Sequence, residues 1–366
     1  MLLKVMTILG TRPEIIRLSL IIQKLDVLTN HILVHTGQNY DRSLSDVFFE
    51  QLKIRQPNYK ISLRSNTFGQ QVGYMFSEIE KIITKEKPDK ILLLGDTNSG
   101  LCALLGERMG IPVFHMEAGN RCFDTSVPEE INRKAIDSIS SYNLPYTVLS
   151  RENLIREGVP NHRIWVSGNP IYEVLQHYKG DIDKSDILTR MSLTTNGYIV
   201  VTAHRAENVD NEARLRHIVD ALQFIAKQHQ IPIICSVHPR TRDRMQKFAI
   251  DTQEPLIHFS KPFGFFDFVH LQKHARCVIT DSGTVQEESC ILGVPSVTIR
   301  NSTERPETVI CGSNVISGVH SKTILDSVNL MLQSGRSWRL PEGYDDPNVS
   351  SKVVNMVLGG LHHIKG

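Results

Sequence analysis

A chain of 366 residues is longer than a single hydrophobic core usually organises, so two domains are expected. A hydrophobic share of 40% and a charged share of 22% are ordinary for globular proteins and exclude the disordered and fibrous classes. The net charge of +2 offers no basic excess, which counts against nucleic acid as a partner.

Short runs rich in valine, isoleucine and leucine alternate with longer amphipathic stretches along the chain. This alternation is typical of an α/β fold in which a parallel sheet is covered by helices on both faces. The predicted strands of the first half are Leu3–Leu9, Ile32–His35, Ile91–Gly95, Val113–Glu117 and Ile164–Ser167. Those of the second half are Tyr198–Ala203, Ile231–Val237, Leu256–Phe259, Cys277–Thr280 and Ser296–Ile299. The set occurs twice, which predicts two Rossmann-like domains.

A turn at Gly168–Asn169 closes the first set of strands, and a polar stretch follows before the next strand. We therefore expect a first domain over residues 1–168 and a second over residues 169–352. Residues 353–366 have the pattern of a helix that could return to the first domain. Because open α/β sheets bind ligands at the carboxyl ends of their strands, polar residues that follow strands are the candidates for function.

The first predicted strand runs into the sequence Gly-Thr-Arg-Pro-Glu at residues 10–14. Gly10 permits a tight turn, and Thr11 and Glu14 have the spacing of a capping box for the next helix. A phosphate could lie at that helix N-terminus, with Arg12 and Arg17 as charged clamps. The spacing is equally consistent with an ordinary capped helix whose arginines are solvated.

Carboxylates follow two further strands and also occupy a nearby loop. Asp96 and Glu117 stand at strand ends, and Glu129 and Glu130 form a pair in the loop sequence Pro-Glu-Glu. Partial burial at a strand end can tune the pKa of a carboxyl group for proton transfer, although each acid alone is more often a cap or an ion-pair partner. Their grouping in one half of the chain predicts an active site. Three polar residues of the same half join it, namely His115, Arg121 and Arg133.

Two histidines follow strands of the second half. His204 lies in a polar turn after the first of these strands, and His238 follows the next one. His204 could donate a hydrogen bond to a phosphate or relay a proton, but a single histidine is more commonly structural, and the same holds for His238.

A later strand of the second half ends at Asp281-Ser282-Gly283, where another helix is expected to begin. The backbone N–H groups and the hydroxyl of Ser282 could hold a diphosphate, and Glu288 could accept hydrogen bonds from a ribose. Ordinary capping of the helix by Thr284 and Glu287 is the structural alternative.

Several motifs that would indicate other classes of protein are absent from the sequence. No pair of the 15 histidines has zinc-site spacing, and no calcium-loop pattern occurs, so no resident metal is expected. No dinucleotide-binding glycine motif follows a predicted strand, and neither a P-loop nor a serine nucleophile elbow is present. These absences favour a phosphate-bearing small molecule bound without a cofactor.

The six cysteines are scattered, which favours reduced thiols and a cytoplasmic location over a disulfide framework or a zinc site. The N-terminal run lacks the charged leader and cleavage site of a signal peptide. No apolar run approaches the roughly 20 residues that span a bilayer, so no membrane partner is expected.

Taken in order, the motifs resemble those of the non-hydrolysing UDP-N-acetylglucosamine 2-epimerase family along nearly the whole chain. The matching stretches are GTRPE at 10–14, GDT at 95–97, EAG at 117–119, PEE-x-NR at 128–133, His204-Arg205, His238, TDSG-x-x-QEE at 280–288 and ERPE at 304–307. The resemblance implies a glycosyltransferase-B architecture, with two Rossmann-like domains facing across a cleft. It also implies a homodimer and a UDP-sugar bound in that cleft.

The family chemistry implies roles for individual residues. C2 of the sugar is inverted when UDP leaves C1 as C2 loses its proton, which forms a glycal to which UDP then adds back. The implied catalytic residues are Asp96, Glu117, Glu130 and His204. The implied substrate-binding residues are Arg12, Arg17, Arg133, His238, Phe268, Ser282, Gly283, Glu288 and Arg305. Among these, Phe268 would pack on uracil, although a core position is the commoner role of such a phenylalanine.

The chain departs from the better-known members of the family at several positions. Arg17 stands where they carry lysine, and Asn120 replaces leucine in their EAGLR sequence, with Phe123 shortly after it. Residues 38–41, Gln-Asn-Tyr-Asp, replace a Gln-His-Arg-Glu type sequence that helps some members to hold a second, regulatory UDP-sugar. The resemblance therefore does not carry that regulation over to this chain.

The combination HTGQNYD, HMEAGNRCFD, VPEEINRK and HPRTR most resembles one branch of the family. That branch converts UDP-2-acetamido-2,6-dideoxy-L-talose to UDP-N-acetyl-L-fucosamine for capsule and O-antigen, and this is the expected activity. Interconversion of UDP-N-acetylglucosamine and UDP-N-acetylmannosamine is the alternative. A glycosyltransferase, a hydrolysing epimerase and a non-enzymatic UDP-sugar sensor are the further alternatives.

Overall fold

The computed structural model describes residues 2–38, 42–62 and 67–359, and their side chains except those of residues 42–45. Asn39, Tyr40 and Asp41 of the departing turn lie outside the described residues, as does the part of the predicted C-terminal helix beyond Gly359. The chain divides into two compact units. One holds the residues up to His177 together with those from Glu342 onward, and the other is Tyr178–Pro341.

In the first unit, the described residues form a parallel sheet of six strands. The strands are β1 (Lys4–Leu9), β2 (Asn30–His35), β3 (Tyr59–Lys60), β4 (Lys90–Leu94), β5 (Val113–Met116) and β6 (Tyr142–Leu144). Their order across the sheet is β3-β2-β1-β4-β5-β6. This is the doubly wound arrangement, in which the strand order reverses between β1 and β4 while all strands stay parallel. The central strands are buried almost throughout, because helices on both faces cover their continuous apolar runs.

The helices of the first unit follow the strands in alternation. They are α1 (Arg12–Leu28), α2 (Arg42–Gln51), α3 (Phe68–Glu86), α4 (Ala103–Arg108), α5 (Pro128–Ile139), α6 (Val148–Arg156) and α7 (Pro170–His177). Helix α1 begins with the predicted capping box of Thr11 and Glu14 and has Pro13 in its first turn. Because this cap fixes where α1 begins, Arg12 and Arg17 lie within its first two turns.

The second unit, over its described residues, repeats this architecture. Its strands are β7 (Ile199–Thr202), β8 (Ile233–Ser236), β9 (Ile257–Ser260), β10 (Cys277–Thr280), β11 (Ser296–Thr298) and β12 (Asn314–Ile316). Their order, β12-β11-β10-β7-β8-β9, is that of the first sheet read from its other side. Its helices are α8 (Lys179–Asp183), α9 (Ile187–Arg190), α10 (Ala206–Val209), α11 (Glu212–His229), α12 (Pro239–Lys247), α13 (Phe265–His274), α14 (Gly283–Leu292), α15 (Pro306–Ile310) and α16 (Ser321–Gln333).

The last described helix, α17 (Val349–Leu358), belongs to the first unit. Its N-terminal turn is held by α7, because Glu173 accepts hydrogen bonds from the backbone N–H of Ser350 at 2.7 Å and from its hydroxyl. It also packs against α1, where Lys24 donates to Ser351 Oγ at 2.5 Å. Because α7 contacts both α1 and α17, the first unit extends past the expected boundary at Gly168–Asn169 as far as His177.

The predicted α/β class with two Rossmann-like sheets is confirmed, but some strands differ from the prediction. The predicted strand Ile164–Ser167 is wrong, since Ile164 forms only an isolated bridge with Asn143. Trp165 and Ser167 donate backbone N–H groups to the carbonyls of Asn143 and Pro145, but these two bonds do not extend into a continuous ladder with β6. The short strands β3, β6 and β12 were not predicted, because two or three residues carry too little apolar pattern. No described helix is long and apolar enough to cross a membrane.

Candidate active site

In the first unit, the predicted site residues follow three neighbouring strands. Arg12 comes after β1, Asp96 after β4 and Glu117 after β5. Because these strands are parallel and adjacent, their carboxyl ends share one edge of the sheet. Arg12 is half-buried, and its guanidinium carbon lies 5.8 Å from the centroid of the Phe48 ring. The edge beside the reversal point of the sheet therefore carries both acidic and basic groups.

Glu117 is held by an arginine and a tyrosine. Both Glu117 and Arg17 are buried, and they form an ion pair in which Arg17 Nη1 donates to Glu117 Oε2. The hydroxyl of Tyr146 donates to the same oxygen at 3.3 Å. The Glu117 backbone has a φ of +65°, in the left-handed region that costs a non-glycine residue roughly 1–2 kcal/mol. Such strain persists where the surroundings impose it, and it is commonest at functional sites.

A second cluster joins Asp96 to Glu130 through one arginine. Arg133, buried on α5, donates from Nη2 to Asp96 and from Nη1 to Glu130 Oε2, the latter at 2.5 Å. Asp96 keeps about a fifth of its side chain exposed, whereas Glu130 is completely buried. Glu130 also accepts the backbone N–H groups of Cys122 at 3.1 Å and Phe123 at 3.2 Å. These bonds occupy the oxygens of Glu130 and leave Asp96 as the more accessible acid of the pair.

Burial and hydrogen bonding act in opposite directions on Glu130. Burial alone raises the pKa of its carboxyl group, but the hydrogen bond from the Cys122 backbone and the charge of Arg133 outweigh burial, so the pKa lies below its ordinary value. Glu130 is therefore ionised over the neutral range. An ionised carboxylate with all these donors aligns Arg133, and Arg133 in turn fixes Asp96.

His115 and Arg121, which the sequence grouped with the acids, brace the loop that carries Glu117. Completely buried His115 faces Asp137 Oδ1 at 2.8 Å through Nδ1 and the Gly95 carbonyl at 2.9 Å through Nε2. Arg121 forms an ion pair with Asp137 Oδ2 at 2.7 Å. Asp137 also accepts the N–H of Gly119 at 3.0 Å, so it fixes the turn that follows Glu117.

The sequence analysis did not identify Asp137. It lies one helical turn after Arg133 on α5, and it is buried. Its position in the sequence does not distinguish Asp137 from an exposed helix residue. Its hydrogen-bond and ion-pair partners lie in β5 and in the turn after β5, far from it in the sequence. Only the packing of α5 on the sheet reveals its position.

Glu14 joins the turns after β1 and β4. Its Oε2 accepts the N–H groups of Gly10 at 2.8 Å and Thr11 at 2.6 Å, and its Oε1 accepts the hydroxyl of Thr97 at 2.9 Å. Burial raises the pKa of Glu14 to about 7, although these hydrogen bonds oppose the shift. Among the residues that the structure describes, no basic side chain lies within ion-pair distance of Glu14. The effect of burial on its pKa therefore exceeds the effect of the hydrogen bonds.

In the second unit, a buried aspartate organises the turn that carries His204. Asp281, after β10, accepts the backbone N–H groups of His204 and Arg205, each at 3.0 Å, and the side-chain amide of Asn208 at 3.1 Å. These bonds span β10 and β7, where the second sheet reverses its strand order. His204 keeps 46% of its side chain exposed, with Nδ1 3.5 Å from Asp281 Oδ1. The sequence singled out this turn but did not assign Asp281 its organising role.

Helix α14 begins at the predicted diphosphate site. Ser282 is its N-cap residue, and Gly283 is its first residue. Any side chain at Gly283 would clash with Glu304, whose Oε1 lies 2.6 Å from the place of the missing Cβ. Glu304 is itself held by Arg300 at 2.7 Å and by Arg205 at 3.2 Å. The space beside Gly283 is therefore filled by the Glu304 carboxylate, which is why this position needs a glycine.

Arg305 and Glu288 are both buried in the second unit. Arg305 is buried and forms an ion pair with Glu287 on α14, with its Nε 2.6 Å from Glu287 Oε1. Glu288, the next residue on α14, is also buried. The ion pair between Glu287 and Arg305 fixes α14 against the segment that carries Arg305.

His238 and Phe268 follow the neighbouring strands β8 and β9. His238 is the half-buried N-cap residue of α12, and its Nδ1 accepts the N–H of Arg240 at 3.3 Å. Phe268 is half-buried and packs against the hydrophobic core of the second unit. Each thus has a structural role and retains some exposed surface.

The structure brings the predicted residues of the first unit together in two ion-paired groups, Arg17 with Glu117 and Arg133 with Asp96 and Glu130. In the second unit, Asp281 and Glu304 connect the turns that carry His204, Gly283 and Arg305. Within residues 2–38, 42–62 and 67–359, no group of three or more His, Cys, Asp or Glu side chains could hold a metal ion.

The amino-acid sequence is similar to those of known proteins. The family model for UDP-N-acetylglucosamine 2-epimerase matches residues 24–358. The chain is 42% identical to a UDP-N-acetylglucosamine 2-epimerase of Methanocaldococcus jannaschii, over 98% of this chain and all of that protein. It is 36% identical to a UDP-2,3-diacetamido-2,3-dideoxy-D-glucuronate 2-epimerase of Pseudomonas aeruginosa, over 90% of this chain and 92% of that protein.

Among solved structures, the chain is similar to the crystal structure of the M. jannaschii UDP-GlcNAc 2-epimerase in complex with UDP-GlcNAc and UDP. The TM-score is 0.91 at 39% identity, over 97% of this chain and 99% of that one. Two six-stranded sheets of the glycosyltransferase-B type are therefore shared with a structure that holds both a UDP-sugar and UDP.

Proposed function

The chain belongs to the UDP-N-acetylglucosamine 2-epimerase family, and from that premise we propose that it interconverts UDP-N-acetylglucosamine and UDP-N-acetylmannosamine. It is a UDP-sugar 2-epimerase, hence an isomerase. The observation that carries the proposal is the pair of arginine-held acids, Asp96 and Glu117, at the carboxyl ends of adjacent strands of the first sheet. Inversion at C2 needs proton-handling groups, and these two acids supply them.

The reaction makes two chemical demands on the protein. The C2 hydrogen of an N-acetyl sugar is not acidic, so its removal must accompany departure of UDP from C1, with a glycal as the intermediate. A general acid or base must take and return the proton, and donors must stabilise the departing diphosphate. We assign the first demand to Asp96 and Glu117, and the second to Arg12, His204 and the N-terminus of α14.

Glu130 receives a different role from the one that the resemblance implied. It is completely buried, and its oxygens accept two backbone N–H groups and Arg133. We propose that Glu130 positions Asp96 through Arg133 and exchanges no proton with the substrate. Arg17 acts in the same way on Glu117, because the two side chains form a buried ion pair.

For the nucleotide, we propose that Ser282, Gly283 and His204 bind the diphosphate and that Glu288 binds the ribose. The position of Ser282 and Gly283 at the N-terminus of α14 and the exposed ring of His204 support this assignment. Arg305 holds α14 through Glu287 and so positions the diphosphate site. The exposed part of Phe268 packs on uracil. His238, which begins α12 after the neighbouring strand, also binds the substrate.

Two sugars compete as the native substrate. Relatives named for UDP-N-acetylglucosamine 2-epimerase, up to 42% identical over the full length, favour that sugar. The branch specific for 6-deoxy-L-sugars rests on Arg17, Asn120, Phe123 and the turn at residues 38–41. Asn120, however, is buried and accepts the Ser150 hydroxyl at 2.8 Å, while Phe123 is 71% exposed. Asn120 thus has a local structural role, and the relatives favour the other sugar, so UDP-2-acetamido-2,6-dideoxy-L-talose is the second candidate.

Product analysis by NMR in D2O tests the proposal. Incubation with UDP-N-acetylglucosamine alone should yield UDP-N-acetylmannosamine with deuterium at C2, and no free sugar. Release of free sugar and UDP would indicate a hydrolysing epimerase, and an unchanged donor would indicate a transferase or a sensor. The same assay with the 6-deoxy-L-talose derivative compares kcat/KM for the two candidates, and a higher value for that sugar would transfer the assignment to the second candidate.

We further propose that the protein works as a homodimer, as the family resemblance implies, and that it is located in the cytoplasm. The reduced state of all six cysteines is consistent with that compartment. Light scattering of the purified chain tests the assembly, and a monomeric mass at micromolar concentration with full activity would contradict it.

A further inference from the structure

Two of the six cysteines lie next to each other in the second unit. Sγ of Cys290, on α14, is 3.7 Å from Sγ of Cys311, which follows α15. Both are free thiols. Cys290 is completely buried, whereas Cys311 is partly exposed in a turn between Ile310, which is 72% exposed, and the exposed Gly312. The pair thus combines one thiol that solvent can reach with one that only its neighbour can reach.

The neighbouring thiol of Cys290 favours the thiolate form of Cys311. When protonated, the Cys311 thiol can donate to Ser313 Oγ at 3.3 Å and to the Thr308 carbonyl at 3.4 Å. The hydrogen bond from Cys290, with a further contribution from Ser313, lowers the pKa of the Cys311 thiol below its ordinary value. The pKa of Cys290 is raised, because it supplies that hydrogen bond and is buried. The thiolate is the reactive form of cysteine, so Cys311 is the nucleophile of the pair.

The other four cysteines provide the contrast. All four are buried, and burial raises the pKa of each thiol. They are Cys102, Cys122, Cys235 and Cys277. Since reactivity requires both access and thiolate character, these cysteines should remain inert under conditions that modify Cys311.

We propose that Cys290 and Cys311 are a peroxide-reactive dithiol that closes to a disulfide in the folded protein. In the first step the Cys311 thiolate attacks one oxygen of hydrogen peroxide. An S–O bond forms as the O–O bond breaks, the Cys311 sulfur is oxidised to a sulfenic acid, and hydroxide leaves and takes a proton to become water. In the second step Cys290 gives its proton to solvent and its sulfur attacks the Cys311 sulfur. The S–S bond forms as the S–O bond breaks, and a second water leaves. Two thiols are thus oxidised by one peroxide, which is reduced to two waters.

The sulfurs must approach from 3.7 Å to the roughly 2.05 Å of a disulfide. The two segments are already held together nearby, because Glu287 on α14 forms a buried ion pair with Arg305, the residue that precedes α15. The disulfide would add a covalent link between the same two helices. We expect the oxidised protein to unfold at a higher temperature than the reduced protein.

Peptide mapping of the intact folded chain tests the proposal. The reduced protein is exposed to hydrogen peroxide, its remaining thiols are alkylated, and the digest is analysed by mass spectrometry before and after dithiothreitol. The expected result is a peptide pair joined through Cys290 and Cys311, reversible by dithiothreitol, with the other four cysteines alkylated. Alkylation of both Cys290 and Cys311 at peroxide concentrations that oxidise any other cysteine would overturn the proposal, as would a disulfide made with a different cysteine.

Variants separate the two roles. In Cys290→Ser, Cys311 should accumulate as a sulfenic acid that dimedone traps, whereas in Cys311→Ser no dimedone adduct should form at Cys290. Cys235→Ser is the matched control, and it should form the disulfide as the parent does. A dimedone adduct at Cys290 in Cys311→Ser would overturn the assigned order of attack. If Cys290→Ser does not fold, the peptide map of the parent chain still decides whether the disulfide forms.

Discussion

A buried carboxylate occupies a comparable position in each of the two units. In each sheet the strand order reverses between two strands, and an acid connects the turns that follow them: Glu14 in the first unit and Asp281 in the second. The donors differ. Asp281 faces N–H groups, which can only donate, whereas Glu14 also faces the Thr97 hydroxyl, which can donate or accept. A carboxyl group beside a hydroxyl can keep a proton without losing a hydrogen bond.

The surrounding residues extend this contrast. In the first unit, the edge of the sheet carries additional acids held by arginines, Asp96 and Glu117. In the second unit, the corresponding edge carries His204 and the N-terminus of α14 at Gly283. The same strand order thus supports proton-handling groups in one copy and anion-binding groups in the other. Substitutions of the two acids in the first unit and of Asp281 in the second unit should consequently affect different measured quantities.

The largest expected effect is on turnover, from the acids of the first unit. Replacing Glu117 by Gln, or Asp96 by Asn, should lower kcat by on the order of 10²–10⁴-fold, since a general acid or base contributes about that much. The affinity for UDP should change little, because neither acid is assigned to the diphosphate. Steady-state kinetics and calorimetry with UDP measure the two quantities. Glu152→Gln, in an exposed pair on α6, is the control, and near-parent turnover in both test variants would remove these acids from the mechanism.

The next effect is on stability, from the acid of the second unit. Asp281→Ala leaves the N–H groups of His204 and Arg205 and the amide of Asn208 without their acceptor. A buried donor without a partner costs about 1–3 kcal/mol, so a loss of about 2–4 kcal/mol is expected for the group as a whole. Urea unfolding followed by circular dichroism measures it. Asp326→Ala, in an exposed pair with Lys322, should stay close to the parent, and equal midpoints for both variants would contradict the role of Asp281.

A smaller effect concerns binding of the leaving group. Arg12→Ala removes a half-buried cation from the first turn of α1, so UDP binding should weaken by roughly ten- to a hundredfold, or about 1.5–3 kcal/mol. Isothermal titration with UDP measures the change, and Arg151→Ala on α6, where Arg151 donates to Asn161, is the control. An unchanged Kd for Arg12→Ala would place the diphosphate contact in the second unit alone.

The effect that is smallest per measured step concerns the pH dependence of stability. The pKa of Glu14 is raised from its ordinary value of 4.5 to about 7, so the folded chain holds a proton that the unfolded chain releases between these values. Its contribution to stability is therefore complete below about pH 4.5 and is lost as pH rises through about 7, with a slope of at most ~1.4 kcal/mol per pH unit. Glu14→Gln mimics the protonated form and should flatten this slope. Urea midpoints from pH 5 to pH 8 test it, and identical slopes in parent and variant would show that Glu14 does not titrate there.

The sequence predicted the architecture where its strands are long and apolar. Continuous apolar runs marked β1, β4 and β7 correctly, because strands covered on both faces need apolar side chains at every position. The three-residue strands β6 and β12 contain Asn143 and Asn314, and their assignment depends on the neighbours with which they pair. A pattern within one segment contains no information about such neighbours.

The same limit applies to the site. Motifs after strands identified Asp96, Glu117 and His204 as candidates, and the family prediction is confirmed. Glu14 was identified only as a helix cap, and Asp281 only as part of a polar turn. Their hydrogen-bond partners Thr97 and His204 lie in turns that follow neighbouring strands, which the local sequence does not reveal. The 6-deoxy-L-sugar branch stays a prediction, since the relatives favour the alternative substrate.

Helix α17 has a consequence for how the chain is made. It completes the first unit, where Val353, Val354 and Val357 are buried, yet it is synthesised after all of Tyr178–Pro341. On the ribosome, the second unit is therefore the first to have its whole sequence available, although it comes later in the chain. Until Val349–Leu358 emerges, the face of α1 that packs against it is uncovered, so the nascent first unit is the part of the molecule that most needs protection from aggregation.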